Sequence, residues 1–193
     1  MKRNYTMNNN STSNTPTDEY LMRQVTTGDN NAFDILYNRH SRRLCGFFTR
    51  MLGCDIEEAK DLTHDLFTRI YTKRYRYKIG NFGTWLYGAA YNICKNEYRH
   101  REVRERFSQE QMTGEEPTTE QPQTIDREQI NYVLHKAIEA LSNAQREVFI
   151  LRYIEELPTS EVAKIVDCPE GTVKSRLYHA LESIRKRMKM YKI

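Results

Sequence analysis

From about Asp18 to Arg104 apolar residues recur at helical spacing, interrupted at "TTGDN", "LGCD" and "YKIGN". No segment alternates apolar and polar residues long enough to claim a strand, so the chain is predicted to be all-α. The pattern fails in "ERFSQEQMTGEEPTTEQPQTIDRE", which holds Gly114, Pro117, Pro122 and many acids. Such a stretch cannot bury enough apolar surface to offset its ordering entropy. Helical periodicity resumes at Gln129 and runs to the C-terminus. The expected organisation is two small helical domains, 18–104 and 129–193, joined by a flexible acidic linker over 105–128. Residues 1–17, rich in Asn, Ser and Thr, read as a disordered tail.

The C-terminal unit carries the most specific local pattern. Pro158, Thr159 and Ser160 supply a helix start for "SEVAKIV", and a tight turn is expected at Asp167 and Cys168. Pro169 suits the first position of the next helix, where its missing N–H is not needed. On a wheel of that helix Val173, Leu177, Ala180, Leu181, Ile184 and Met188 form one stripe, the side expected to face a core. Gly171, Ser175, Tyr178, His179, Glu182 and Lys186 lie opposite, flanked by Lys174, Arg185 and Arg176. A short helix, a turn and a second helix with a donor-rich outer face is the helix-turn-helix arrangement, whose second helix enters the major groove. Gly171 stands at the leading end of that face, where a side chain would hold the helix off the groove floor. The competing reading is an ordinary solvated basic face.

In the N-terminal unit aromatics and cations interleave: Tyr71, Tyr75, Tyr77, Phe82, Trp85, Tyr87 and Tyr91 among Lys73, Arg74, Arg76 and Lys78. Stacking platforms in a positive groove suit single-stranded nucleic acid. Asn92, Lys95, Asn96 and Arg99 recur on one helical face and could reach phosphates and base edges. Several of the aromatics could equally build the core; Tyr75 and Tyr77, in a basic loop, are expected to be exposed. Upstream, "DIEEAKDLTHDLFTRIY" turns Ala59, Leu62, Leu66 and Ile70 inward. Glu58, Asp61 and Asp65 then line the outer face, with Glu57 and His64 beside them. An acidic stripe is poorly placed for DNA and suits a basic protein partner; a solvated face is the alternative.

Composition narrows the function classes. At 38% hydrophobic and 29% charged, 193 residues can bury only a modest core, which favours small helical units over a large enzyme fold. The net charge of +4 is compatible with an anionic partner. Cys45, Cys54, Cys94 and Cys168 form no Cys-x-x-Cys pair, and the five histidines show no zinc spacing, so no metal and no cofactor are expected. Nothing resembles a secretory signal or a membrane span, so the expected location is cytoplasmic.

Taken in order, "GDNNAFDILYNRHSRRL", "EEAKDLTHDLF", "FGTWLYGAAYNICKNEYR" and "SNAQREVFILRYIEELPTSEVAKIVDCPEGTVKSRLYHALESIRK" resemble successive segments of extracytoplasmic-function sigma factors, small two-domain subunits of bacterial transcription initiation. The resemblance implies a non-enzymatic promoter-recognition factor. The helix bearing Glu58, Asp61, His64 and Asp65 would dock on the beta-prime clamp helices of core RNA polymerase; family members usually carry glutamine where this chain has His64. Tyr75, Tyr77, Lys78, Phe82, Trp85, Asn92, Lys95, Asn96, Arg99 and Arg101 would read and melt the minus-10 element. Glu170, Gly171, Thr172, Lys174, Ser175, Tyr178 and His179 would read the minus-35 element, with Arg176 and Lys186 on phosphates; His179 replaces a common arginine. The resemblance further implies contact with the beta flap, a linker threading through polymerase, and an anti-sigma factor, often membrane-anchored. Two other classes fit parts of the sequence: a helix-turn-helix regulator of duplex DNA that does not join polymerase, and a metal enzyme built on the helical acids, for which no converging ligand set is visible.

Overall fold

Side-chain caps start most of the helices where the apolar periodicity begins. The Thr17 hydroxyl accepts from the Tyr20 N–H at 3.2 Å and opens α1 (Asp18–Thr26). Asp29 accepts from Ala32 at 3.1 Å to open α2 (Asn30–Leu52), and Asp55 from Glu58 at 2.9 Å to open α3 (Ile56–Thr72). Gly53, at φ 61°, ends α2 in the left-handed conformation that glycine adopts without a Cβ penalty. Asn81 accepts from Thr84 at 2.8 Å at the head of α4 (Phe82–Ser108). In the C-terminal unit α5 (Arg127–Glu139) precedes α6 (Asn143–Phe149), which Ser142 and Gln145 open with a reciprocal capping box. A π-helical turn, Ile150–Ile154, leads to α7 (Thr159–Ile165) and α8 (Glu170–Met190). This computed structural model describes residues 15–73, 77, 80–108 and 127–190, and among them there is no strand.

The chain breaks fall where the hydrophobic pattern breaks. Three local details differ. Pro169 is the residue before α8 rather than its first helical position, and its carbonyl accepts from Thr172 and Val173 at 2.9 and 3.1 Å. α4 continues to Ser108 and α5 begins at Arg127, so both ends of 105–128 are helical; 109–126 and residues 1–14 lie outside the described residues. Leu181, read as part of the buried stripe, is 38% exposed, because α8 packs through Val173, Leu177, Ala180 and Ile184, with Met188 half-buried at the end of the stripe.

In the N-terminal unit α2 lies against α1, α3 and α4, with Phe47, Phe48 and Phe67 buried between them. Phe67 lies between the rings of Phe33 and Tyr37, at 5.9 and 4.8 Å. α5, α6 and α8 enclose a smaller core of Ala137, Ile138, Leu141, Phe149, Ala180 and Ile184. The two units do not stay apart: Val148, Ile150, Leu151, Val162 and Val173 belong to one continuous buried cluster with residues of α2 and α4.

Candidate nucleic-acid interfaces

The turn that orients α8 is tight because Asp167 takes φ 52° and the Cys168 N–H reaches the Ala163 carbonyl at 3.1 Å. α7 and α8 are thereby packed as a helix-turn-helix, with Val162, Val173 and Leu177 buried between and beneath them. Glu170, Gly171, Lys174, Ser175, Tyr178, His179 and Lys186 are all exposed, while Thr172 and Arg176 are half-buried. Tyr178 is 60% exposed and stands edge-on to the His179 ring at 5.4 Å, so both present polar edges outward. A Cβ added to Gly171 would meet nothing within 4 Å. The protein's own packing gives no reason for glycine there.

Gly171→Ala is therefore expected to leave the unfolding midpoint unchanged or raise stability by up to about 1 kcal/mol through helix propensity, while weakening binding to duplex DNA. Fluorescence anisotropy with a duplex probe beside a thermal melt measures both. Unchanged duplex affinity would mean that the groove floor does not reach this position.

On α4, Asn92, Lys95, Asn96 and Arg99 are exposed along one face, opposite buried Leu86, Ala90 and Cys94. Among the described residues no carboxylate lies within ion-pair distance of Lys95, Arg99, Lys174 or Lys186, so these cations remain available to phosphates.

The aromatic cluster differs from its sequence reading. Phe82 has no exposed surface, so it cannot stack on a base; its ring packs on Trp85 at 5.9 Å and His40 at 5.5 Å. Tyr77, expected to be exposed, is 9% exposed, donates to the Gly80 carbonyl at 2.9 Å and stands edge-on to Trp85 at 5.2 Å. Both rings form the floor that supports the half-buried Trp85, which keeps an open side. Tyr75 and Lys78 lie outside the described residues. Arg101 is also redirected: its guanidinium donates to the Leu52 carbonyl, closing the C-terminus of α2, and to Glu58 at 3.2 Å. It serves the fold, and it occupies one acid of the proposed protein-docking stripe.

On α3, Glu57 pairs with Lys60 at 2.7 Å and Glu58 with Arg101, whereas Asp61, His64 and Asp65 are exposed. Among the described residues Asp61 and Asp65 have no ion-pair partner, so the outward negative charge of the stripe is concentrated on these two.

Sequence reasoning missed a polar cluster between the two units. Glu147 and Glu155 stand within apolar periodicity yet are buried, where they meet Tyr91 and Tyr87 of α4 and Arg43 and Arg50 of α2. The only available signal is that an acid at a core position of a helix requires a buried partner.

Comparison with known proteins assigns both units. Residues 36–104 match sigma-70 region 2, and residues 132–184 match sigma-70 region 4. RNA polymerase sigma-H factor of Pseudomonas aeruginosa is 30% identical over 88% of this chain and 92% of its own length. The extracytoplasmic-function sigma factor SigW of Bacillus subtilis is 28% identical over 87% of this chain and 95% of its own. The fold is similar to that of the sigma factor RpoE of Bartonella quintana, solved with the anti-sigma factor NepR, at a TM-score of 0.66 and 23% identity, over 81% of this chain and 96% of that one. No helix among the described residues is long and apolar enough to cross a membrane. With region 2 and region 4 in one chain and a sigma factor 30% identical over 88% of it, the protein belongs to the sigma-70 family, in its extracytoplasmic-function branch, and is a promoter-recognition factor for transcription initiation rather than an enzyme.

Proposed function

We propose that this chain acts in the cytoplasm by joining core RNA polymerase through Asp61, His64 and Asp65, and divides promoter reading between α4 and α8. Trp85 and the Asn92, Lys95, Asn96, Arg99 face capture the melted minus-10 strand. Lys174, Ser175, Tyr178 and His179 read duplex minus-35 DNA, with Lys186 on phosphate. The 105–128 segment tethers the two through polymerase, and region 4 meets the beta flap. Complexes of related sigma factors with anti-sigma factors support such a partner here as well.

The observation that carries this reading is the separation of charge: two exposed cationic faces on α4 and α8, and an exposed acidic pair on α3. A regulator that binds only duplex DNA leaves the region 2 match and the Asp61–Asp65 pair without a role. In vitro transcription with core polymerase on a randomised promoter library tests it. Promoter-dependent initiation that is lost with Asp65→Lys, along with retention on core polymerase, is expected. An active core that gives no promoter-dependent product in the presence of the wild-type chain sinks the proposal.

A further inference from the structure

Glu19 of α1 reaches across 63 residues to the start of α4, where its Oε1 accepts from the Phe82 N–H at 3.0 Å. The first N–H groups of a helix have no partner within it, and a carboxylate placed there gains from the helix dipole as well as from the bond. Asn81 takes another of them, accepting from the Thr84 N–H and hydroxyl at 2.8 and 3.1 Å. The two acceptors differ in what they fix. Asn81 is local and moves with α4, whereas Glu19 ties the first residue of α4 to a separate helix.

α1 is a firm base for that tie. Leu21, Met22 and Val25 bury its inner side, and it packs on α2. Asp18, the residue before Glu19, accepts from Arg39 and lies 2.8 Å from His40 Nε2, and Arg39 also donates to the Pro16 carbonyl at 3.1 Å. The His40 ring in turn meets the Phe82 ring at 5.5 Å. Phe82 is therefore held twice from α1: its backbone by Glu19 and its ring, through His40, by Asp18. Trp85 stands on the same turn, with its N–H on the Asn81 carbonyl at 3.2 Å and its ring 5.9 Å from Phe82 and 5.2 Å from Tyr77. Burial pushes the pKa of the Tyr77 hydroxyl up and the Glu19 carboxylate adds to it, which places Glu19 near this ring too.

We infer that Glu19 is a positioning residue for single-strand capture, fixing the first turn of α4 so that Trp85 is set on the Phe82 and Tyr77 rings before a base arrives; this rests on the minus-10 reading above. A platform already held in place loses less freedom when a base stacks on it. The match to sigma-70 region 2 begins at residue 36, so α1 lies outside it and here acquires a part in promoter reading.

The chain holds one tryptophan, so its fluorescence reports Trp85 alone. In the full-length chain without polymerase, Glu19→Ala and Glu19→Asp should each raise acrylamide quenching of Trp85 with circular dichroism unchanged. Glu19→Gln keeps an oxygen acceptor for the Phe82 N–H and should keep the wild-type quenching. Holoenzyme with core polymerase is then titrated with a fork probe, a promoter selected by the wild-type chain from a randomised library and left single-stranded over its minus-10 segment. There Glu19→Ala and Glu19→Asp should weaken binding about fivefold, the low end of what one stacked base contributes. The minus-35 duplex alone should bind as it does to wild type. Should Glu19→Ala lose its helical circular dichroism, Glu19→Asp decides, since it keeps the charge and only shortens the reach. A folded variant that leaves either quenching or fork binding at its wild-type value overturns the inference, as does a loss that falls equally on the fork and the minus-35 duplex. Trp85→Ala tells this apart from the reading beneath it: fork binding as tight as wild type would contradict the minus-10 reading, and capture with it, even where quenching shows that Glu19 sets the ring.

Discussion

Phe67→Ala is expected to lower the unfolding free energy by about 3–5 kcal/mol, the range for emptying a fully buried aromatic site. Phe67 is 2% exposed and anchors α3 to α2, with the rings of Phe33 at 5.9 Å and Tyr37 at 4.8 Å set edge-on to it. Alanine removes the ring's burial and also the edge-to-face contacts, which contribute about 0.5–1.5 kcal/mol beyond area. α2 is fixed at both ends, by the Asp29 cap and by the Tyr98 and Arg101 bonds to its last carbonyls, and α3 at its start by the Asp55 cap, so the site cannot readily collapse. Urea denaturation checks this: the midpoint should fall with little change in slope. A loss below about 1 kcal/mol would mean that Phe33 and Tyr37 close over the gap. Because α3 also carries Asp61 and Asp65, the variant should weaken polymerase binding only as far as it unfolds, unlike Asp65→Lys.

Lys174→Ala is expected to cost about 1–3 kcal/mol in binding to a preferred minus-35 duplex, if the ammonium reaches a base edge. Lys174 is exposed on the first turns of α8, one residue beyond buried Val173, and among the described residues no carboxylate pairs with it. The fold should not change, since the side chain packs on nothing buried. Competition binding across single-base variants of the duplex separates the two possible roles. Loss concentrated at one position marks a base contact. Equal weakening at every position, with the salt dependence reduced by about one ion, would move Lys174 to a phosphate.

Much of the architecture was legible along the chain because helix boundaries are local events. Asp29, Asp55 and Asn81 sit within three residues of the N–H groups they cap, and Gly53 ends α2 through its own backbone conformation. The outer face of α8 was legible for the same reason: Val173, Leu177, Ala180 and Ile184 define the inner side by period alone, and what remains must face out. The aromatic stretch was less legible. Period cannot tell a ring that stacks on a base from one that supports it, and Phe82 and Tyr77 proved to be support for Trp85. Arg101 fell in a basic run and looked like a phosphate ligand, yet its partners are the Leu52 carbonyl and Glu58, more than forty residues upstream.

The sequence by itself determined the helices, the helix-turn-helix with its outward donors, the exposed acids of α3 and, through the order of its segments, the resemblance to sigma factors. Each depends on spacing within a few turns. Only the tertiary structure decided which charges are spent inside the molecule. Glu155 meets Arg43 and Arg50 across 112 and 105 residues, and Glu147 meets Tyr91 across 56. A carboxylate in an apolar stripe is costly until such partners arrive, and their arrival is a property of how two units pack, which no local period encodes.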